Sequence, residues 1–129
     1  RSALIRIPAT RGAGTRVEIR CPDPSANPYL AFAVVAAAGL DGINRGLEAP
    51  VEVVDDIFAM SPAELKERGI RNLPASLEAA VTALEEGSIG RATLGDHVFE
   101  EFVDLKRSEW DAFRVTVHGW EIETYHSKF

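Results

Sequence analysis

The sequence predicts an α+β fold in which a short antiparallel β-hairpin, forming part of a larger sheet, is followed by a mostly helical carboxyl-terminal bundle. Two β-type runs, residues 4–7 and 16–20, lie on either side of a connection that contains two glycines, which is typical of a hairpin. Beyond residue 28 the apolar residues recur at spacings of three and four, as in helices. We therefore treat residues 1–21 as the hairpin and residues 22–129 as the helical region of one domain.

The first predicted helix follows an irregular stretch that contains three prolines. Asn27 is a good helix cap, and Pro28 suits the first helical position because the N–H that it lacks would have no intrahelical partner there. Residues 29–40 contain hardly any polar position, so a helix formed by them has no solvated face. We expect this helix to be the buried one and Gly46 to mark its end.

The later helices are predicted from their start and stop signals. Ser61, Pro62 and Glu64 form a capping box for a short helix that ends near Arg68. The preceding segment, Leu47 to Phe58, is predicted to be a surface loop. The other predicted helical ranges are 76–86, opened by Pro74 or Ser76 and ended by Gly87, then 94–117 and a last turn over 120–125.

Composition excludes several classes of protein. The chain has 129 residues, of which 46% are hydrophobic and 26% charged, a size that buries roughly two-thirds of the unfolded surface. It contains no apolar run long enough to span a membrane, and nothing at its start resembles a signal sequence. The lone Cys21 cannot form an internal disulfide, so we expect a cytoplasmic protein. Because the chain starts at Arg1 rather than Met, we expect an internal piece of a longer polypeptide.

One face of the second β-type run carries the most informative residues. In an extended chain, side chains alternate between faces, so Arg16, Glu18 and Arg20 lie on one side and Val17 and Ile19 on the other. The apolar side can anchor in a core. The polar side holds a carboxylate between two cations, which is a ready site for a metal ion and a phosphorylated ligand.

Antiparallel pairing of the two runs would add Arg6 to this polar face. The arginines at positions 1, 6, 11, 16 and 20 contrast with a formal net charge of −6 for the whole chain, so the hairpin is a local concentration of positive charge. The alternative is a solvated face of cross-strand ion pairs that contributes little. Nucleic-acid binding is disfavoured by the net charge and by the lack of stacking aromatics among these cations.

The remaining chemically interesting residues are expected to be structural. His97, His118 and His126 have no partner at metal-ligand spacing. Cys21 follows Arg20 directly, but nothing beside it forms a nucleophilic arrangement. The Trp and Phe residues between positions 99 and 120 lie at helical spacing, which favours a role in the core.

Six segments of the chain match one known family in the same order. They are residues 1–8, 16–20, 22–32, 39–43, 73–77 and 109–111, and they closely resemble the carboxyl-terminal part of bacterial type I glutamine synthetase. The resemblance implies that residues 1–129 are a carboxyl-terminal fragment of that enzyme's catalytic domain. It also implies the family's activity in glutamine biosynthesis and nitrogen metabolism: ATP phosphorylates the side-chain carboxylate of glutamate, and ammonia then displaces phosphate from the γ-glutamyl phosphate.

The resemblance also implies roles for individual residues. Glu18 matches the family carboxylate that binds a divalent cation, Mg²⁺ or Mn²⁺, on the nucleotide-phosphate side. Arg20 matches an arginine that contacts glutamate and the phosphoryl group, and Arg1 matches one that contacts both glutamate and ATP. Arg6 matches an ATP-phosphate arginine, and Arg16 is similar to a further one. These matches make Arg1 and Arg20 the expected catalytic residues.

The family completes its two metal sites with residues from earlier in the polypeptide. The resemblance therefore implies that this chain alone neither binds two metal ions nor forms glutamine. In the full-length parent it implies a homo-oligomer of two stacked rings, feedback by glutamine, and contacts with transcriptional regulators through the chain end. Phe58 stands where one branch of the family carries a tyrosine that accepts AMP. A noncatalytic interaction or regulatory module derived from the same family is the alternative.

Overall fold

The computed structural model describes residues 3–126 and 128. The chain divides into two compact units, Arg1–Asn72 and Leu73–Phe129, and each is treated by itself. The first unit contains a two-stranded sheet and two helices, and the second contains three helices. The predicted α+β class, a short hairpin followed by mostly helical structure, is confirmed.

The first unit begins with the predicted antiparallel hairpin. Strand β1 spans Ile5–Arg6 and strand β2 spans Glu18–Ile19, with Ile5 opposite Ile19 and Arg6 opposite Glu18. The connection is longer than the glycine-containing loop we expected, and it includes a 3₁₀ turn over Gly12–Gly14. Pro8 explains part of the difference, since proline has no N–H to continue a β-ladder.

Helix α1 spans Pro28–Asn44 and begins at the predicted cap. The side-chain oxygen of Asn27 accepts hydrogen bonds from the backbone N–H groups of Tyr29 at 3.0 Å and Leu30 at 3.4 Å. These bonds satisfy donors that a helix start leaves without an intrahelical partner. The helix ends two residues before Gly46, whose φ of +61° is the left-handed conformation that favours glycine.

The expectation that α1 is the buried helix is wrong for this chain. None of its residues is buried, and the Phe32 side chain, for example, is 75% exposed. The physical reason is that too little surface is available to cover the helix. A helix that is apolar on all sides needs neighbouring layers on several of them. A hairpin with two residues in each strand is too small to provide them.

A connection with little regular structure follows α1, as predicted. It contains a 3₁₀ turn over Ile57–Ala59 and leads to helix α2, Pro62–Glu67. The predicted capping box is present: the Ser61 hydroxyl accepts from the Glu64 N–H at 3.3 Å, and the Glu64 carboxylate accepts from the Ser61 N–H at 2.7 Å. The chain turns at Gly69, which has a φ of +66°.

The second unit consists of three helices. Helix α3 spans Leu77–Glu86 and is capped by Ser76, whose hydroxyl accepts from the Ala79 N–H at 3.1 Å. Helix α4 spans Ser88–Arg114 and is interrupted at Gly95, which has a φ of +73°. The predicted start at Leu94 therefore falls at this break rather than at the true start. The last helix, α5, spans Gly119–Tyr125.

The core of this unit lies between α3 and α4. Its buried residues are Val81, Phe99 and Val103, and Leu77, Leu84 and Leu94 pack against them. Helix α3 contributes Leu77, Val81 and Leu84 to this core. Gly90 allows the close approach, because a Cβ there would lie 2.6 Å from the Leu84 Cδ1 atom.

The predicted aromatic core is only partly correct. Phe99 is 1% exposed, but Phe113 is 54% exposed and Trp120 also lies at the surface. Phe113 stacks on Trp110 with ring centroids 5.8 Å apart, and the His118 ring lies 4.6 Å from the Phe113 ring. The His118 ring therefore contacts an aromatic side chain. No helix in the described part of the chain combines the length and apolar character needed to cross a membrane.

Replacing Phe99 by Ala should lower the free energy of unfolding of the helical unit by about 3–5 kcal/mol, because it removes the central buried side chain. Phe113→Ala on the same helix is the matched control and should cost about 1 kcal/mol, the value of an aromatic contact. Denaturant unfolding followed by the helical circular dichroism signal measures both. Equal losses would show that Phe99 is not the centre of this core.

Candidate functional site

The hairpin places the carboxylate of Glu18 between two guanidinium groups. Arg6, directly opposite on β1, donates from Nη1 to Oε2 of Glu18 at 2.9 Å. Arg16, two residues earlier in the chain, donates to Oε1 from Nε at 3.0 Å and from Nη2 at 2.7 Å. Both carboxylate oxygens are thus bonded to a cation, and charge-assisted bonds of this kind are the stronger class of hydrogen bond.

The loop of the hairpin helps to position Arg16. Its Nη1 donates to the carbonyl oxygen of Gly14 at 3.2 Å, within the 3₁₀ turn. Arg16 therefore makes three hydrogen bonds, two to Glu18 and one to the backbone. Arg6 makes one hydrogen bond, to Glu18. Arg16 is therefore held by more hydrogen bonds than Arg6.

This cluster is accessible to solvent and to ligands. The Glu18 side chain is 29% exposed, and the Arg6 and Arg16 side chains are about half exposed. With two positive charges on one negative charge, the cluster is positive overall and attracts anions. Hydrogen bonds from Arg6, and then those from Arg16, hold the pKa of Glu18 below its ordinary value of 4.5. Glu18 is consequently ionised at neutral pH, as a metal ligand must be.

Arg20 does not share in this cluster, although it was predicted to flank Glu18. Its backbone N–H donates to the Leu4 carbonyl oxygen at 2.8 Å, which fixes its main chain beside β1. Within residues 3–126 and 128, no side chain pairs with the Arg20 guanidinium. The second cation on Glu18 is instead Arg6, which the antiparallel register brings to the same face.

Arg11 does not bond to Glu18 among the described contacts. Arg11 donates from Nη1 to the Pro8 carbonyl oxygen at 2.6 Å and to the Thr10 carbonyl oxygen at 3.2 Å, so its guanidinium bonds to the hairpin loop. Arg1 lies outside the described residues.

The other side of the hairpin is apolar. We predicted that it would anchor in a core, and this prediction is wrong for the described residues. The Val17 side chain is 59% exposed, and the Ile19 side chain is 37% exposed. Together with Phe32 and Val35 of α1, they line an open cleft of about 350 Å³. The alternation of polar and apolar sides is as predicted, but the apolar side is uncovered.

The donor set tests whether these residues fit a divalent cation. Glu18 supplies a hard carboxylate oxygen, the ligand type that Mg²⁺ and Mn²⁺ prefer. Across the described ranges, no three His, Cys, Asp or Glu side chains lie close enough together to hold a metal ion. The hairpin thus fits one ligand position of such a site, with cations beside it for the anion that a metal ion would accompany.

The hairpin thus presents an exposed carboxylate between two guanidiniums, an arrangement suited to binding a charged ligand. The profile of the family described as "Glutamine synthetase, catalytic domain" matches residues 1–125. This chain belongs to the glutamine synthetase family.

Individual relatives of this chain are also glutamine synthetases. The chain is 54% identical over 129 residues to the glutamine synthetase of Clostridium saccharobutylicum, covering 100% of this chain and 29% of the relative. It is 53% identical over 125 residues to that of Methanococcus maripaludis and 52% identical over 125 residues to that of Thermus thermophilus, each match covering 97% of this chain and 28% of the relative. The chain thus spans less than a third of the length of these relatives.

Sequence reasoning placed Arg6, Arg16 and Glu18 on one face, but it expected Arg20 rather than Arg6 to be the second cation beside the carboxylate. It also missed the contact between Arg16 and the Gly14 carbonyl. A signal for a tight turn exists in the sequence, since Gly12 and Gly14 lie four and two residues before Arg16 and glycine favours turns. To predict that Glu18 pairs with Arg6 rather than Arg20, one must know the strand register, and the loop determines that register.

Arg6→Gln should raise the pKa of Glu18 toward 4.5, because the largest cause of its lowering is removed. Since the folded-state pKa is the lower one, the ion pairs stabilise the fold fully above pH 4.5 and lose their contribution as the pH falls through the folded value. Carboxyl-carbon NMR titration of the chain measures this. Glu64 is the internal control, because its lowered pKa depends on Ser61. An unchanged Glu18 titration would contradict the assignment of its partners.

Proposed function

We propose that this chain supplies the carboxyl-terminal part of a glutamine synthetase catalytic domain, with residues 1–21 forming an active-site hairpin within a larger sheet and residues 22–129 forming the helical region. The complete enzyme would ligate ammonia to glutamate at the expense of ATP, through γ-glutamyl phosphate. The observation that carries the proposal is the exposed Glu18 carboxylate held by Arg6 and Arg16, in a chain that belongs to this family.

The proposed roles follow the chemistry of phosphoryl transfer. Negative charge spreads over the oxygens of the transferred group, so fixed cations and metal ions supply most of the acceleration. Arg6 and Arg16 would bind the ATP phosphates, and Arg20 would contact glutamate and the phosphoryl group. Arg1 would contact glutamate and ATP. Within the described residues the Arg20 guanidinium bonds to no side chain, which leaves its donors available to a ligand and supports its proposed role.

Glu18 would be one ligand of a Mg²⁺ or Mn²⁺ ion that neutralises the nucleotide phosphates. Its exposure and its ionised state at neutral pH support this role. Two metal ions would require further carboxylates and a histidine from elsewhere in a complete polypeptide. This chain's contribution is therefore one oxygen ligand and the arginines around it.

The uncovered apolar surface supports incorporation into a larger molecule. Val17, Phe32 and Val35 are exposed around the open cleft, and exposed apolar clusters of this kind mark contact surfaces. We propose a cytoplasmic homo-oligomer of two stacked rings for the complete enzyme, with the chain end available to transcriptional regulators. The noncatalytic module is not favoured, because Glu18 and Arg20 are both retained.

The test is a chimeric enzyme in which this chain replaces the matching segment of the Clostridium saccharobutylicum relative. It should form glutamine with ATP, and Glu18→Gln should lower kcat by about 10²- to 10³-fold, as for loss of a group that stabilises transition-state charge. Glu52→Gln, in the exposed connection after α1, is the matched control and should leave kcat unchanged. Full activity of the Glu18→Gln variant would refute the proposed role.

The chain on its own should form no glutamine and should show no tight Mn²⁺ binding, because it provides a single carboxylate at the hairpin. Isothermal titration with Mn²⁺ and an assay for ATP-dependent glutamine formation measure the two properties. Either activity in the isolated chain would show that the site needs no further residues.

Phe58 indicates that the enzyme is not regulated by attachment of AMP at this position. The side chain is 84% exposed and has no hydroxyl group, so an adenylyltransferase should attach no AMP at this position. Intact-mass measurement after incubation should show no added AMP on the chain. Phe58→Tyr, which restores an accessible hydroxyl, is the comparison, and an AMP adduct on the unsubstituted chain would contradict the prediction.

A further inference from the structure

The connection between β1 and β2, residues 7–17, is held together by contacts of its own. Pro8 is buried, and the Thr15 N–H donates to the Gly12 carbonyl oxygen at 3.1 Å, which closes the 3₁₀ turn. A loop of this length loses conformational freedom when it becomes ordered, so such contacts must offset that loss. The connection is therefore a folded part of the hairpin.

Arg11 bonds to the first half of this connection. Its backbone is extended immediately before the 3₁₀ turn, and its side chain turns back along the chain. Nη1 donates to the Pro8 carbonyl oxygen at 2.6 Å, in a partly buried contact, and to the Thr10 carbonyl oxygen at 3.2 Å. Neither carbonyl group belongs to the paired residues of the strands, so the guanidinium satisfies acceptors that the β-ladder leaves without a partner.

The two halves of the connection meet at Thr10 and Gly14. A Cβ atom on Gly14 would lie 2.5 Å from the Thr10 Cγ2 atom, so the Gly14 backbone approaches Thr10 more closely than a residue with a side chain would allow. The Gly14 carbonyl oxygen in turn accepts from Nη1 of Arg16 at 3.2 Å. A continuous series of contacts thus runs from Arg11 through Thr10 and Gly14 to Arg16.

We propose that Arg11 is a positioning residue of the candidate site, because it fixes the loop conformation in which Arg16 reaches Glu18. The alternative task for an arginine in this loop is to bind a ligand directly. The observed bonds favour positioning, since Nη1 of Arg11 already donates to two backbone oxygens of its own loop. A support of this kind reduces the freedom that a site must lose when it binds a ligand.

This role separates the two cations on Glu18. Arg6 lies directly opposite Glu18 in the strand register, so its bond does not depend on the loop. Arg16 bonds both to Glu18 and to the loop, so loosening of the loop should weaken its bonds first. Loss of the Arg11 side chain should therefore affect Arg16 and leave the Arg6 bond in place.

The test measures solvent exchange of the Arg16 Nε–H by nitrogen NMR of this chain, because Nε donates to Glu18 at 3.0 Å. Arg11→Gln should accelerate this exchange by about two- to tenfold, the factor that corresponds to the net strength of one hydrogen bond. The Nε–H of Arg114, which donates to Asp111 at 2.7 Å in the helical unit, is the internal control and should not change. An unchanged exchange rate at Arg16 would refute the proposal.

Arg20→Gln is the matched control for charge, since it removes one positive charge from the hairpin outside the loop. Exchange of a guanidinium N–H is catalysed by hydroxide, which positive charge attracts. Removal of a charge alone should therefore slow the exchange, whereas loss of positioning should accelerate it. Equal acceleration by Arg20→Gln and Arg11→Gln would overturn the proposal.

A second measurement needs no variant. In the unsubstituted chain, the bonds at Nη1 should slow rotation of the Arg11 guanidinium group, so its Nη hydrogens should give separate NMR resonances at low temperature. Arg71, which is exposed and whose guanidinium bonds to none of the described residues, is the comparison and should give averaged resonances. Averaged resonances for both arginines would contradict the positioning role.

The consequence for catalysis rests on the proposed function and is measured in the chimeric enzyme. Arg11→Gln should lower kcat/KM for glutamine formation by about tenfold. In the Arg16→Gln background it should lower kcat/KM by less than about twofold, because Arg11 acts through Arg16. Equal losses in both backgrounds would show that Arg11 acts on its own and would overturn the proposal. A chimeric enzyme that forms no glutamine would refute the proposed function, and the exchange measurements on this chain would still decide the role of Arg11.

Discussion

The shared carboxylate of Glu18 is the interaction on which the interpretation of this chain depends. It joins β1 to β2 through Arg6 and joins β2 to the loop through Arg16, so one side chain links three parts of the hairpin. A two-stranded hairpin with two residues in each strand has little stability of its own. The charges that are suited to an anionic ligand therefore also help to define the hairpin that presents them.

Local features of the fold were predictable from the sequence. Asn27, Ser61 and Ser76 all cap the helices that follow them, because a cap depends on a few neighbouring residues and on little else. The face shared by Arg6, Arg16 and Glu18 was also predictable, since strand alternation places them together. The family could also be recognised from the sequence, because six segments match it in the same order and chance does not produce such a match over a whole chain.

Features that depend on distant partners were not predictable. The apolar character of α1 was read correctly, but its burial depends on surfaces that this chain does not provide. Which arginine pairs with Glu18 depends on register and on side-chain conformation, so Arg20, equally near in sequence, remains apart. The break at Gly95 was missed because an isolated glycine is tolerated within a helix, and only its positive φ shows that the helix is interrupted there.

The core between α3 and α4 draws its buried residues from a short stretch of chain, with Val81, Phe99 and Val103 as its members. Contacts between residues close in sequence form quickly, because little loop entropy is lost in bringing them together. We therefore expect this helical pair to fold early and rapidly. The hairpin, whose apolar side stays uncovered in this chain, would be the slower element to reach its final environment.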